Sequence, residues 1–290
     1  MERHWRLLLL MLIAGLCRAD VTANSLVVLF TDYGADSIYV GALKGVIYAK
    51  FPQARIDTLT NSVPPFDVAT GAYLLAEASK EFPKGTVFCC VVDPGVGLDR
   101  KRIVLETNTG HRFVGPDNGL FTLVARRFGI AELREVANEK LWREGQVSQT
   151  FQGRDIFGPV AAALANGVPL AETGPELKDL VRLPLEESRV ERDTIRGTVV
   201  RSDWYGNLIT NVTAEDLEKA GLQKNDMLDV TIGKARFTAP LKSTYGDVAE
   251  GRKVLVVQSS GYVECAINLR SLADDIHEGA HAPVTLRKAK

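Results

Sequence analysis

In the stretch FCCVVDPGVGLDRKRIVLE, residues 88–106, two apolar runs flank a loop that holds the two charged residues Asp93 and Arg100 among others. Asp93 follows the first run, and Arg100 lies seven positions later, before the second run. Pro94, Gly95 and Gly97 stand between them. Three interpretations are open: a glycine loop that cradles phosphate, an ordinary turn, or part of a catalytic site.

The phosphate interpretation does not fit this loop. A Walker-type loop needs Lys followed by Ser or Thr at the start of a helix, and a dinucleotide fingerprint needs GxGxxG leading into a helix. Gly95 and Gly97 instead precede an apolar run that reads as a strand, and Asp93 would repel a phosphate. A turn and a catalytic site therefore remain.

Polar side chains also follow two other strand-like runs. Asp32 comes after VVLFT, Asn61 after IDTLT, and Asp93 after FCCVV. In parallel α/β sheets, ligands bind beyond the carboxyl ends of the strands, so these residues predict a pocket. Taken singly, Asp32 and Asn61 are also typical of helix caps, and Asp93 of a turn.

Three further stretches combine polar residues with glycine: TFQGRDIFGP (150–159), SDWYGNLITN (202–211) and QSSGYVECAIN (258–268). In the first, Gly153 would let the backbone approach a ligand closely, whereas Arg154 and Asp155 could simply form a local ion pair. The second reads as a turn between strands that offers a carboxylate and an amide.

The order of predicted elements indicates two domains. Strand-like and helix-like segments alternate over residues 24–185, which predicts an α/β domain with a mainly parallel sheet. A charged stretch with one proline follows near residue 180. Short strand-like runs then fill residues 195–290 and predict a small C-terminal β-barrel domain.

The N-terminus has the layout of a secretory signal peptide over residues 1–23. Arg3 and Arg6 precede ten mostly apolar residues, and CRA follows them. We expect cleavage after Ala19 or Ala23 and a periplasmic or secreted protein. The apolar run is too short for a lasting membrane span. An uncleaved anchor and a misassigned start codon are the alternatives.

Composition and net charge bear on the size of the core and on the class of binding partner. The 290 residues are 46% hydrophobic and 24% charged, with a formal net charge of −1. Such a chain can bury a substantial core. The absence of a basic excess argues against a nucleic-acid partner.

Taken together, the blocks resemble one family. LFTDYG…YVGALKG, PPFDV, GTVFCCVVDPGVG, FVGPDNGLFTLV, TFQGRDIFGPVAAALANG, GNLITN and SSGYVECAIN occur in the order found in the S-adenosylmethionine (SAM) hydroxide adenosyltransferases, relatives of the fluorinases and chlorinases. The resemblance runs from about Leu26 to about Val284.

This resemblance implies an N-terminal α/β domain, a C-terminal β-barrel, and a homotrimer with substrate sites between subunits. It implies displacement at the 5′ carbon of the SAM ribose, in which methionine leaves and water, or a halide, takes its place. No metal or organic cofactor is implied, because the sulfonium already makes methionine a good leaving group.

The resemblance also assigns substrate-binding roles. Asp32 matches an aspartate that grips the ribose hydroxyls, and Phe66 matches an aromatic at the ribose and halide wall. Asp203 and Asn207 lie in the stretch that binds the amino-acid end and the adenine. The remaining predicted binding residues are Ser259, at the methionine carboxylate or amine, and Tyr262 and Ala266, on the adenine side.

Asp93 and Arg100 match the pair that hydrolase-type members use, together with a histidine, to orient or deprotonate water. Gln152 stands where that histidine is expected, and it can position a water but cannot act as a base near neutral pH. Gly153 lacks the serine that helps to dehydrate fluoride. We therefore predict hydrolysis of SAM to adenosine and methionine. Non-catalytic binding of adenosine or SAM is the alternative, and halogenation a weaker one.

Overall fold

The computed structural model describes residues 24–290, which group into two compact units. Unit 1 comprises residues 24–68 and Ala78–Val181, and unit 2 comprises Ala69–Glu77 and Arg182–Lys290. The predicted leader, residues 1–23, lies outside the described residues. The predicted domain boundaries, 24–185 and 195–290, stay predictions.

Unit 1 is built on a six-stranded mixed sheet. Its strands are β1 Leu26–Thr31, β2 Arg55–Thr60, β3 Val87–Val91, β4 Arg102–Glu106, β5 Arg112–Pro116 and β6 Glu132–Glu135. In the order β2-β1-β3-β5-β4-β6, the first four strands are parallel, and β4 is antiparallel to both of its neighbours. The predicted mainly parallel sheet is confirmed.

Four helices lie between or after these strands: α1 Ile38–Lys50, α2 Val68–Ala78, α3 Thr122–Phe128 and α4 Gly158–Ala165. A π-helical turn, Gly153–Phe157, leads directly into α4. Three short 3₁₀ turns, Ser79–Glu81, Glu139–Leu141 and Leu170–Thr173, also lie in this half of the chain. Within residues 24–290, no helix is both long and apolar enough to cross a membrane.

The central strands of unit 1 are buried and hold the site in place. Every residue from Val27 to Phe30 on β1 is fully buried, as are Phe88, Cys89 and Cys90 on β3. Helix α1 begins where the Ser37 hydroxyl accepts the Tyr39 N–H at 3.2 Å. It packs closely on α4, since a Cβ on Gly158 would lie 2.6 Å from Leu43. The polar loops at the strand ends are thus anchored to a rigid layer.

Unit 2 is a closed barrel. Its strands are β7 Arg189–Glu191, β8 Thr194–Ser202, β9 Leu208–Thr213, β10 Met227–Ile232, β11 Ala235–Lys242, β12 Lys253–Val257, β13 Tyr262–Ile267 and β14 Pro283–Lys288. Seven strands follow one another in the order β14-β10-β11-β12-β13-β9-β8, and pairing of β14 with β8 closes the barrel. The short strand β7 also pairs with β8 but is not one of these seven strands. The predicted β-barrel is confirmed. Its helical segments are α5 Ala214–Lys219, α6 Leu272–Ile276 and the 3₁₀ turn Tyr245–Asp247.

Helix α2 groups with the barrel although it lies between β2 and β3 in the chain. The Thr70 hydroxyl donates to the Val200 carbonyl at 3.1 Å. The rings of Tyr73 and Tyr262 meet edge to face with centroids 5.9 Å apart. These contacts show that α2 is part of the unit 2 structure.

Candidate active site

Two of the three predicted strand-end side chains meet at one cavity of unit 1. β1 lies between β2 and β3, so the ends that carry Asp32 and Asp93 are neighbours. Both residues line a cavity of about 270 Å³, together with Phe66, Gln152 and Gly153. Asn61 is engaged elsewhere, because its side-chain oxygen accepts the Thr31 hydroxyl at 2.9 Å in the buried interior.

Asp93, Arg100 and Gln152 form one hydrogen-bonded cluster. The Arg100 Nε donates to Asp93 Oδ1 at 3.1 Å, and Nη2 bonds Asp93 Oδ2. The same Nη2 donates to Gln152 Oε1 at 2.8 Å. The Asp93 and Arg100 side chains are only 4% and 10% exposed. The predicted trio is therefore brought together in a nearly dry setting.

Arginine fixes the orientation of Gln152. A guanidinium has only donors, so the oxygen of the Gln152 amide must face Arg100. The nitrogen of that amide, which can only donate, is left for other partners. Gln152 is not a base in any case, because a neutral amide does not take up a proton near neutral pH.

The loop after β3 is a tight turn as well as a site. The Val96 N–H donates to the Asp93 carbonyl at 3.2 Å, and the Leu98 N–H donates to the Gly95 carbonyl at 3.0 Å. The turn brings Arg100 back onto the Asp93 side chain. The turn interpretation is therefore confirmed, and the catalytic interpretation of the same loop stays a prediction.

Asp32 holds Phe66 in an uncommon conformation. Its Oδ2 accepts the Phe66 N–H at 3.0 Å, and Phe66 has a φ of 67°. A bulky residue in the left-handed region is strained, and such strain concentrates at ligand sites. The Phe66 ring is 72% exposed at the cavity. This contact keeps Phe66 beside Asp32 at the cavity.

A buried carboxylate fastens the block that carries Gln152. Asp155 is fully buried and accepts hydrogen bonds from Arg154 Nε at 2.6 Å, from the Ser148 N–H at 2.8 Å and from Arg143 Nη1 at 3.1 Å. Burial acts to raise the pKa of Asp155, but these hydrogen bonds outweigh it and lower the pKa below its ordinary value. The Arg154–Asp155 pair is thus structural.

An aromatic cluster beside the cavity was not predicted from the sequence. The Tyr33 ring centroid lies 6.0 Å from Tyr39 and 5.9 Å from Phe151. Burial, and then the nearby Cys89, Asp32 and Asp93, raise the pKa of the Tyr33 hydroxyl. The available signal was its position directly after the strand-end Asp32.

Unit 2 carries a second cavity, of about 560 Å³, at the turn between β8 and β9. Asp203 and Asn207 both line it. Asp203 Oδ1 accepts the Asn207 N–H at 2.9 Å, and Oδ2 accepts the Asn207 amide Nδ2 at 3.0 Å. Asp203 therefore shapes the turn, and the side-chain oxygen of Asn207 is not engaged by this pair.

The other predicted residues of unit 2 lie on or next to β13. Ser259 is exposed in the turn before the strand, Tyr262 packs on Tyr73, and Ala266 is fully buried against Val254 and Val256. In the described part of unit 2, these three are not among the residues that line the cavity, whereas residues 267–271 are. Their assigned roles stay predictions.

A buried acid on β13 was also missed. Glu264 is 3% exposed and accepts the Tyr245 hydroxyl at 2.7 Å. Burial raises the pKa of Glu264 above its ordinary 4.5, against the hydrogen bond from Tyr245. Tyr245 lines the unit 2 cavity, so Glu264 supports a cavity wall from behind.

The fold and site define a two-domain class: an α/β unit with acidic strand ends and a closed β-barrel with its own polar cavity. Family models for the SAM hydroxide adenosyltransferase N-terminal and C-terminal domains match residues 27–174 and 197–285. The chain belongs to this family.

Curated relatives and solved structures agree with the assignment. The chain is 39% identical to an (R)-S-adenosyl-L-methionine hydrolase of Salinispora tropica, over 84% of this chain and 90% of that one. It is 34% identical to the protein of the same name from Thermus thermophilus, over 88% and 97%, and 29% identical to an Actinoplanes fluorinase, over 92% and 98%. A crystal structure of a Thermotoga maritima protein superposes with a TM-score of 0.87 at 37% identity, over 90% of this chain and 100% of that one.

The raised pKa of Glu264 generates a pH prediction. A carboxyl whose folded pKa lies above 4.5 contributes stability below pH 4.5 and loses it as the pH rises through the folded value. Glu264→Gln keeps an acceptor for Tyr245 and cannot ionise. We expect a higher Tm than the parent at pH 8 and a smaller difference at pH 4.

Thermal melts at the two pH values measure this difference, with the exposed Glu250→Gln as the matched control. An equal change in Tm at both pH values would show that ionisation of Glu264 has no part in stability.

Proposed function

We propose that the protein hydrolyses S-adenosyl-L-methionine to adenosine and L-methionine. One observation carries the proposal: Asp93 and Gln152, which Arg100 joins by hydrogen bonds, both line the cavity that Asp32 also lines. A carboxylate for the ribose hydroxyls and a carboxylate for water thus stand at neighbouring strand ends. The hydrolase relatives, at 34–39% identity, support the same reaction.

The reaction is a displacement at the ribose 5′ carbon. The oxygen of a water forms a bond to this carbon while the bond from carbon to sulfur breaks. The electron pair goes to sulfur, which becomes the neutral thioether of methionine. The attacking water loses one proton. The sulfonium supplies the driving force, so the protein has to contribute position and a partly dehydrated nucleophile.

Asp93 is the acceptor for the water proton in this proposal. Gln152 cannot serve, because an amide does not take up a proton near neutral pH. Gln152 instead holds the guanidinium that holds Asp93. A glutamine that only orients Arg100 and Asp93 is consistent with hydrolysis of SAM, because the sulfonium already activates the 5′ carbon.

The substrate epimer follows from the relatives. Those at 34–39% identity are named for the R configuration of SAM, and we propose that this chain also takes the R sulfonium epimer. Halide use is disfavoured by the absence of a side chain at Gly153. The fluorinase relative is also less similar, at 29% identity.

We also propose a homotrimer with substrate sites between subunits, and export with cleavage after Ala19 or Ala23. Large apolar side chains are exposed near each cavity, with Phe66 72% exposed in unit 1 and Trp204 and Leu269 97% and 80% exposed in unit 2. In the proposed trimer, these side chains are the ones that a neighbouring subunit would cover. The cavity of unit 1 is also smaller than the roughly 300–1,000 Å³ of pockets for drug-sized ligands.

Light scattering of the purified protein should give a mass of three chains. A mass of one chain would contradict the trimer.

Mass spectrometry of the exported protein should give Asp20 or Asn24 as the first residue. An intact N-terminus would contradict cleavage.

Asp93→Ala should abolish most of the activity. Removing the acceptor should lower kcat for hydrolysis by about 10²–10⁴-fold. Chromatography of adenosine and methionine, with the R and S epimers supplied separately, measures the loss. Asp99→Ala is the matched control, because Asp99 is an exposed aspartate of the same loop. We expect it to keep the parent rate.

Gln152→His separates catalysis from binding. The proposal predicts adenosine from the parent without this change. A parent that binds adenosine but releases no product, while Gln152→His does turn over, would contradict hydrolysis and favour a binding role.

A further inference from the structure

The unit 1 cavity contains a hydroxyl that the Asp93 cluster does not use. Tyr33 directly follows Asp32 and lines the cavity that Asp93 and Gln152 also line. Among residues 24–290, its hydroxyl has no hydrogen-bond partner. A polar group at a cavity wall without a protein partner is available to a bound molecule.

Gly153 makes room for this hydroxyl. A Cβ built on Gly153 would lie 2.2 Å from the Tyr33 oxygen, 3.3 Å from Cζ and 3.6 Å from Cε2. The Tyr33 oxygen therefore occupies the space that any side chain at position 153 would need. The position of the Tyr33 hydroxyl therefore depends on glycine at position 153.

The ring of Tyr33 is held in place by its neighbours. Tyr39 and Phe151 contact it at tilted and edge-on angles, and the same two rings meet each other with centroids 5.2 Å apart. Arg154 lies over Phe151 at 4.9 Å from the ring centroid. Because the ring is fixed from several sides, the direction of the hydroxyl is fixed as well.

The charge state of Tyr33 suits a donor. Burial raises the pKa of its hydroxyl, and the carboxylates of Asp32 and Asp93 raise it further. The hydroxyl therefore keeps its proton throughout the working pH range. Asp93, in contrast, carries oxygens that accept.

We propose that the Tyr33 hydroxyl binds the attacking water, donating a hydrogen bond to its oxygen while Asp93 accepts one of its protons. This inference rests on the proposed hydrolysis. A water that accepts one hydrogen bond keeps one lone pair for the 5′ carbon. As the new bond to carbon forms, the water proton moves toward Asp93, and Tyr33 keeps its own proton.

Tyr33→Phe tests the hydroxyl while keeping the ring. Loss of one hydrogen bond to the nucleophile should lower kcat about 5–10-fold. KM, the affinity for adenosine and Tm should stay at the parent values, because the ring still packs on Tyr39 and Phe151. Tyr48→Phe, on the part of α1 away from the cavity, is the matched control and should keep the parent kcat.

A pair of double variants tests whether a serine hydroxyl at position 153 can replace the hydroxyl of Tyr33. In Tyr33→Phe the nearest atom to a new Cβ at position 153 becomes Cζ, at 3.3 Å. Tyr33→Phe/Gly153→Ser should therefore fold and regain part of the lost kcat, whereas Tyr33→Phe/Gly153→Ala should not. Gly153→Ala alone should lower Tm more than it does in the Tyr33→Phe background, because the oxygen obstructs the new methyl.

The outcomes separate this inference from the proposed function. A parent without hydrolysis rejects the function itself. An active parent with an unchanged kcat in Tyr33→Phe overturns the role of Tyr33, as does an equal kcat in the Ser and Ala double variants. A lowered kcat at unchanged KM and Tm, with a better Ser than Ala double variant, supports it.

Discussion

The contact on which the site depends is the grip of Arg100 on Asp93 and Gln152. Its guanidinium bonds both carboxylate oxygens and the Gln152 amide, and it stacks 5.5 Å from the centroid of Phe157. It thereby ties the loop after β3 to the π turn before α4. A buried ion pair is tolerated only when its geometry is good and its remaining groups are bonded. Removing Arg100 would leave Asp93 as a buried charge and Gln152 without an orientation.

Two unusual local features lie in the same part of unit 1 as this contact. Phe66 has a left-handed backbone and is fastened by Asp32, and Gln152 stands just before a π-helical turn, Gly153–Phe157, whose Asp155 is fully buried. Such features persist when the surrounding structure over-determines them, and they cluster at functional sites. The buried strands β1 and β3 provide that surrounding structure in unit 1.

Local sequence signals predicted some of this and not the rest. The strand-end position of Asp32 and Asp93 follows from the geometry of parallel sheets, and Arg100 lies close enough in sequence to return on the same turn. Gln152, 52 residues from Arg100, was placed by family resemblance, because no local pattern links such distant residues. The role of Tyr33 depends on a glycine 120 positions away, and the grouping of α2 with the barrel depends on tertiary contacts. The hydrophobic periodicity of the sequence predicts neither the contact between Tyr33 and Gly153 nor the packing of α2 on the barrel.

In the proposed reaction, the oxygen of water attacks the ribose 5′ carbon. Turnover in water enriched in oxygen-18, followed by mass spectrometry of the products, tests it most directly. We expect adenosine that carries one oxygen-18 at its 5′ position and methionine without the label. Unlabelled adenosine, a label in methionine, or substrate that is bound and recovered unchanged would contradict it.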